Sequence, residues 1–195
     1  IEGARALNEE LGMDAEFVQS DIYGLPAALS GAFDIVITYY GTICWLPDLR
    51  RWAEIVAHYL KPDGFFYIAD THPFVEMIEG GDPSAPHPYL AYPYFSDGTP
   101  QRCDSCGDTY AASDAQTVNR INYQWKHRLA DIINAVVEAG LRIEFLHEFP
   151  YSFCDVFDWP KGGIVDRMVQ DADGRWRLAG EGDPLPLMFS LKARR

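Results

Sequence analysis

The run Phe33-Asp34-Ile35-Val36-Ile37-Thr38 and the later run Leu60-Lys61-Pro62-Asp63-Gly64-Phe65-Phe66-Tyr67-Ile68-Ala69 decide the fold. Phe33 to Thr38 and Phe65 to Ala69 are nearly continuous in apolar side chains, which suits strands covered on both faces, as in parallel sheets. Between them Leu49, Trp52, Val56 and Tyr59 with Leu60 recur at the helical period, so Asp48 to Leu60 predicts an amphipathic helix. Lys61-Pro62-Asp63-Gly64 ends that helix by turn chemistry. Strand, helix and strand in this order predict a parallel α/β sheet.

Upstream, Ile1, Ala4, Leu7 and Leu11 fall at helical spacing up to Gly12, a C-terminal stop. Ala15 to Gln19 reads as a further short strand ending at Ser20-Asp21. The first residue is Ile rather than Met, the sequence opens inside or close to a helix, and no signal-peptide pattern is present, so residues upstream of Ile1 are expected. Downstream, the second run gives out at Asp70-Thr71-His72-Pro73. Six of the thirteen prolines then lie between Pro73 and Pro100, interleaved with Tyr89, Tyr92, Tyr94 and Phe95, and no helical or strand period survives. Irregular stretches of this length inside a domain are usually functional lids or disordered. Pattern returns in the stripe Leu129, Ile132, Ile133, Val136 and Val137, which Ala139-Gly140 terminates. Arg142 to Phe149 alternates as a strand, Pro150 to Pro186 is irregular again, and Leu187 to Lys192 reads as a last strand.

Composition narrows the classes of function. The 195 residues carry 16 Lys and Arg against 29 Asp and Glu, a net charge of −13, and are 48% hydrophobic and 23% charged. That is globular composition for one domain, or one domain with an insertion. The negative excess repels phosphate backbones and anionic lipid, which argues against nucleic acid and membrane surfaces as partners. The longest charge-free stretch, Pro83 to Ser96, holds four prolines, whereas a spanning helix needs ~20 apolar residues. Four cysteines are too sparse for a secreted disulfide framework, so a reducing cytoplasm is the expected location. Cys103-x-x-Cys106 lacks the third and fourth ligands of a structural zinc site, and no metal is expected. Gly80-Gly81 and Gly162-Gly163 lack the strand-then-helix context of a phosphate loop and read as turns.

Phe33-Asp34-Ile35-Val36, Trp45-Leu46-Pro47-Asp48-Leu49, a helix, then Leu60-Lys61-Pro62-Asp63-Gly64 and an apolar strand together resemble the class I S-adenosylmethionine-dependent methyltransferases. Trp125-x-His127-x-Leu129 with the helix to Ala139-Gly140-Leu141 is similar to that family's approach to its sixth strand. Pro186-Leu187-Met188-Phe189-Ser190-Leu191 is similar to its antiparallel seventh. The resemblance covers most of the chain, weakly between Pro73 and Asp108. It implies a Rossmann-like three-layer α/β sandwich, a mostly parallel sheet with an antiparallel last strand, and an irregular lid insertion. Residues 1–71 would form the C-terminal part of the cofactor-binding core, 72–125 the lid, and 126–195 the rest of the core with a loop at 150–186. The family's glycine-rich loop and the acid that accepts both ribose hydroxyls have no counterpart in these residues, and the family's strand order 3-2-1-4-5-7-6 would place them upstream.

The implied activity is transfer of a methyl group from S-adenosylmethionine to a small molecule, by in-line displacement with the acceptor held in alignment. Two other classes stay open. One is a non-catalytic or truncated methyltransferase-like binding protein. The other is a Rossmann-type NAD(P) oxidoreductase, for which no Tyr-x-x-x-Lys pair appears.

The resemblance also implies positions for the cofactor. Asp21 and Ile22 end the third family strand, where an acidic side chain meets the adenine amino group and a backbone amide meets the ring; by itself Asp21 reads equally as a turn or cap residue. Thr38, Tyr39, Tyr40 and Gly41 end the fourth, near the methionine part, although two tyrosines at a strand end are also ordinary packing. Trp45 is either a wall of that cavity, where an aromatic face suits a sulfonium, or plain core. For catalysis the candidates are His72, since neutral imidazole is the usual base near pH 7, and His127. Their alternatives are a hydrogen-bonded turn and an anchor for the lid. Tyr110, Trp125 and the Tyr89 to Phe95 segment are candidate acceptor-pocket walls, or else a homodimer contact.

Overall fold

The computed structural model describes residues 1–79, 89–103, 121–157, 167–180, 182 and 184–195. Tyr110, Cys106, Gly80-Gly81 and Gly162-Gly163 lie outside them. In chain order the helices are α1 (Glu2–Glu10), α2 (Leu25–Ala28), α3 (Leu49–Tyr59) and α4 (Leu129–Glu138). The strands are β1 (Phe33–Tyr39), β2 (Leu60–Thr71), β3 (Ile78–Glu79), β4 (Tyr89–Leu90), β5 (Gln101–Cys103), β6 (Asn122–Gln124), β7 (Arg142–Phe149), β8 (Met168–Gln170), β9 (Trp176–Leu178) and β10 (Met188–Arg194).

One four-stranded sheet, in the order β1-β2-β10-β7, organises the chain. β1 and β2 pair in parallel, while β10 runs antiparallel to both β2 and β7. Three strands therefore point one way and the last points back between two of them, as expected for a final antiparallel strand. Among the described residues the other ladders are two-stranded: β3 with β4, β5 with β6, and β8 with β9.

The core follows from period. On β2, Phe66, Ile68 and Asp70 are buried and alternate with half-buried Phe65, Tyr67 and Ala69. Helices α3 and α4 contact each other and cover the Phe66 face. Trp52, Val56, Ile132 and Val136 meet Phe66, Ile68, Phe189 and Leu191 there, with Trp52 edge-on to Phe66 at 5.5 Å. Asp48 caps α3, its side chain accepting from the Arg51 amide at 3.0 Å. The opposite face, with Phe65, Tyr67 and Phe145, is half-buried, so the described residues build two layers and not the third.

The Lys61-Pro62-Asp63-Gly64 turn lies inside β2 and breaks its register with β1 between Phe33 and Ile35. A Cβ on Gly64 would stand 2.9 Å from the Lys61 carbonyl oxygen and 3.1 Å from those of Phe33 and Asp34, so only glycine fits this close approach.

Two expectations are corrected. Ala15 to Gln19 forms no strand; it is extended chain tied back to α1, with Arg5 donating to the Phe17 carbonyl at 2.8 Å and the Ala15 amide to Asn8 at 3.1 Å. A strand is defined by its ladder, and among the described residues nothing pairs with the outer edge of β1. For the same reason β1 is not covered on both faces: Ile35 and Ile37 are 48% and 57% exposed. Helix α1 forms where its pattern predicts, yet it buries none of its residues.

Candidate functional site

The parallel strands β1 and β2 end side by side, and the chain turns sharply there. The Tyr40 amide donates to the Ala69 carbonyl at 2.9 Å, after which Tyr40 and Gly41 both adopt positive φ, +49° and +75°. The turn is locked from below by Asp70, 2% exposed, whose Oδ1 accepts from the amides of Gly41 at 2.7 Å and Thr71 at 2.8 Å. Burial pushes the Asp70 carboxyl above its ordinary range, outweighing the opposing pull of the amides of Gly41, Thr71, Ile43 and Thr42. The Thr42 hydroxyl donates to the Tyr39 carbonyl at 2.8 Å and the Cys44 thiol to that of Gly41 at 3.3 Å. The Tyr39 and Tyr40 side chains consequently point outward, 59% and 48% exposed, with Phe153 stacked on Tyr40 at 4.3 Å. Thr38, opposite Ile68 in the ladder, stays half-buried.

Asp21 and Ile22 are held near the start of α3. Tyr23 bonds Asp48 twice through its hydroxyl, 2.9 Å to the amide and 3.2 Å to the carbonyl, and Arg51 lies over the Tyr23 ring at 5.0 Å. Asp21 caps the short 3-10 helix Ile22–Gly24, Oδ1 accepting from the amides of Tyr23 and Gly24. Its second oxygen is left for other partners at an exposed position. The cap and turn reading of Asp21 and the ligand reading are therefore compatible.

Trp45, Trp125 and His127 are brought to one place. The Trp125 amide donates to the Cys44 carbonyl at 2.7 Å, and His127 Nε2 lies 2.8 Å from the Leu46 carbonyl oxygen. Burial pulls the His127 pKa below its ordinary value. Trp45 is 48% exposed, which sets it apart from the core. His72 stands elsewhere, turned inward and 6% exposed. Its Nδ1 accepts from the Phe74 amide at 3.1 Å, which leaves Nε2 as the protonated nitrogen, 2.9 Å from Glu148 Oε1. Burial lowers the His72 pKa and the Glu148 carboxylate opposes that shift.

Three functional-looking groups escaped the sequence reading: Asp70, Glu76 and Lys126. Glu76 follows β2 in the 3-10 turn Val75–Met77, and burial pushes its carboxyl up to about 7, with Asp70 adding to the rise and Lys126 opposing it. Lys126 donates to the Glu76 carbonyl at 2.9 Å and lies 4.3 Å from the Tyr92 ring centre. The same surroundings raise the Cys44 thiol to about 12, through burial first and then Glu76 and Asp70. Asp70 alone carried a sequence signal, as a carboxylate at the carboxyl end of a strand, where ligands of open α/β sheets sit.

Comparison with known proteins shows what this fold is similar to. Residues 1–68 match the family described as "Methyltransferase domain". No curated protein matches the sequence. Solved structures match over nearly the whole chain. One is an S-adenosylmethionine-dependent methyltransferase of Mesorhizobium loti: 17% identity, all of this chain, 77% of that one, TM-score 0.59. Another is a Listeria monocytogenes protein assigned to the same activity: 16% identity, 98% of this chain, 75% of that one, TM-score 0.59. A third comes from Clostridium acetobutylicum: 10% identity, 99% and 70% coverage, TM-score 0.57. The fold is that of the S-adenosylmethionine-dependent methyltransferases. In open α/β sheets ligands sit at the carboxyl ends of the parallel strands, here the ends of β1 and β2, and the residues there have the chemistry to line part of such a site. Asp21 has an outward carboxylate oxygen, and Tyr39, Tyr40 and Phe153 present exposed ring faces beside a backbone turn fixed by Asp70.

Proposed function

We propose that this protein transfers a methyl group from S-adenosylmethionine to a small-molecule acceptor, with the described residues supplying the acceptor side and part of the cofactor side of the site. The strand order β1-β2-β10-β7, with antiparallel β10 between β2 and β7, carries the reading, because it reproduces the 4-5-7-6 half of the family's sheet. The match of residues 1–68 to the methyltransferase domain supports it.

When bound, S-adenosylmethionine supplies an electrophilic sulfonium methyl whose carbon–sulfur electron pair stays on sulfur as the acceptor bond forms. The chain's own contribution is alignment and exclusion of water. Asp21 and the Ile22 amide would hold the adenine, the carboxylate as an acceptor and the amide as a donor. Tyr39 and Tyr40 offer ring faces, which attract cations, and Phe153 holds Tyr40 in place. Thr38 and Gly41 bound the same strand end, Gly41 allowing close backbone approach at φ +75°. Trp45, Trp125 and His127 form the acceptor wall, with His127 fastening it to the Leu46 carbonyl. His72 orients the segment after β2 through Phe74 and Glu148. Glu76, near neutrality in pKa, is the described carboxyl suited to take a proton from a protonated acceptor.

Titration calorimetry on the intact protein tests the reading. S-adenosylhomocysteine should bind one to one with a Kd on the order of micromolar, and NAD should not. Binding of NAD alone would establish the oxidoreductase reading. Binding of neither would establish the non-catalytic one.

A further inference from the structure

Resting on the methyltransferase reading, we infer that the cleft between Tyr92 and Lys126 takes an acceptor with a planar ring bearing a carboxylate, the ring lying against Tyr92 and Phe95 and the carboxylate meeting the Lys126 ammonium. The cleft has a volume of about 380 Å3 and is lined by Tyr92, Pro93, Phe95, Thr99, Gln101 and Lys126 among others. That is within the usual range for small organic ligands, and its lining sets Tyr92, Pro93 and Phe95 against polar and charged side chains that include Asp97 and Lys126.

Lys126 is the group that selects charge. An ammonium has three donors. One goes to the Glu76 carbonyl at 2.9 Å, and the Tyr92 face receives the charge at 4.3 Å. Glu76 acts on it electrostatically, and the Glu76 carbonyl takes one donor, which leaves two for a ligand. Lys126 is half-buried, and burial draws its pKa down while the charge of Glu76 opposes this. A half-buried cation with spare donors is stabilised by an anion that meets it out of water.

Two other charged groups lie nearby. Asp97, the carboxylate on the cleft wall, is turned onto the Thr99 amide at 2.8 Å and sits in solvent. Arg128, 5.7 Å from the Phe95 ring, is committed to Asp131 at 2.8 Å. In a chain of net charge −13, Lys126 is the group on the cleft wall that favours an anion at its own end of the cleft. Its place suits an acceptor as well. The Trp125 amide, one residue before Lys126, is tied to the Cys44 carbonyl in the loop after β1.

Benzoate, benzamide and benzylamine have one ring and differ in charge. Ligand-observed NMR titration of each into the intact protein saturated with S-adenosylhomocysteine reads the preference. Benzoate should bind at least tenfold more tightly than benzamide, and benzylamine should be weakest. Lys126→Met should weaken benzoate at least tenfold without altering its effect on benzamide, and Lys126→Arg should restore most of the loss. Equal affinity for benzoate and benzamide, preference for benzylamine, or an unchanged benzoate affinity in Lys126→Met overturns the assignment. Calorimetry of the same samples with S-adenosylhomocysteine separates the two levels. Loss of benzoate selectivity with cofactor-product binding intact refutes the cleft alone, whereas selective benzoate binding without cofactor-product binding refutes the methyltransferase reading alone.

Discussion

Replacing Glu76 by Gln is expected to stabilise the protein, and to do so more as pH rises. Burial holds the Glu76 carboxyl at about 7 against an ordinary 4.5, the like charge of Asp70 adds to this, and Lys126 offsets part of it. The folded protein thus keeps a proton that the unfolded chain has already released between those two values. Stability must fall as pH rises from about 4.5 to about 7 and be level above, because the unfolded state binds fewer protons across that window. At 1.36 kcal/mol for each pKa unit, ionising Glu76 in the folded protein costs about 3 kcal/mol by pH 8 and under ~1 kcal/mol at pH 5. Gln has the volume and polarity of the neutral carboxyl, so it removes the penalty and leaves the packing of the Val75–Met77 turn. Urea unfolding at pH 5 and pH 8 reads the difference. With an m-value of ~1–3 kcal/mol/M, the midpoint of the variant should move up by about 1–3 M at pH 8 and by a few tenths at pH 5. Comparing variant with parent at each pH cancels the slower titrations of His72 and of groups far from the turn. A variant less stable than the parent at pH 8, or an equal increment at both pH values, would refute the burial argument.

Gly64→Ala should destabilise by about 1–3 kcal/mol, read by thermal unfolding, since its Cβ has three carbonyl oxygens at 2.9 to 3.1 Å and no flexible side chain to displace. Asp48→Ala removes the cap of α3 and should cost about 1 kcal/mol in the same assay, with Tyr23 keeping its bond to the residue 48 backbone. Asp21→Ala and Tyr39→Ala should weaken S-adenosylhomocysteine binding in calorimetry; Tyr39→Ala should leave the unfolding midpoint nearly unchanged because its side chain is exposed, and Asp21→Ala should lower stability by about 1 kcal/mol through loss of its cap. His72→Ala should lower stability by about 1–3 kcal/mol by orphaning the Phe74 amide. A kcat that falls by orders of magnitude in the folded variant would make His72 a proton carrier instead of a positioning residue.

Elements whose residues supply their own reason to form were legible in the sequence. Helix α3 buries its stripe of Leu49, Trp52, Val56 and Tyr59, and α4 buries Ile132 and Val136 of its stripe, with Leu129 and Ile133 half-buried and Val137, at the stripe's edge, exposed. The alternation of β7 and the apolar tail of β10 were equally plain, and their antiparallel pairing followed from the resemblance to the methyltransferases. Ala15 to Gln19 and β1 show where that kind of reading ends. An apolar run states that side chains prefer cover, and says nothing about which backbone will supply a ladder. Ile35 and Ile37 have the composition of a central strand and the exposure of an edge, because cover is a property of neighbours.

The same limit hid the acidic and basic groups of the site, for a different physical reason. Glu76 and Lys126 are fifty residues apart in sequence, and each alone reads as a solvated surface charge. Their chemistry comes from desolvation, which depends on the return of the chain through β6 to the loop after β1, where the Trp125 amide meets the Cys44 carbonyl. That one backbone bond sets Lys126 over Tyr92 and against the Glu76 carbonyl. Glu76 then lies between a cation that favours its charged form and a buried Asp70 that opposes it, with burial deciding the balance. His72 is the converse case. Its position after β2 made it in sequence either a candidate base or a hydrogen-bonded turn residue, and the next turn spends Nδ1 on the Phe74 amide and sets Nε2 beside Glu148, the contacts of a turn residue.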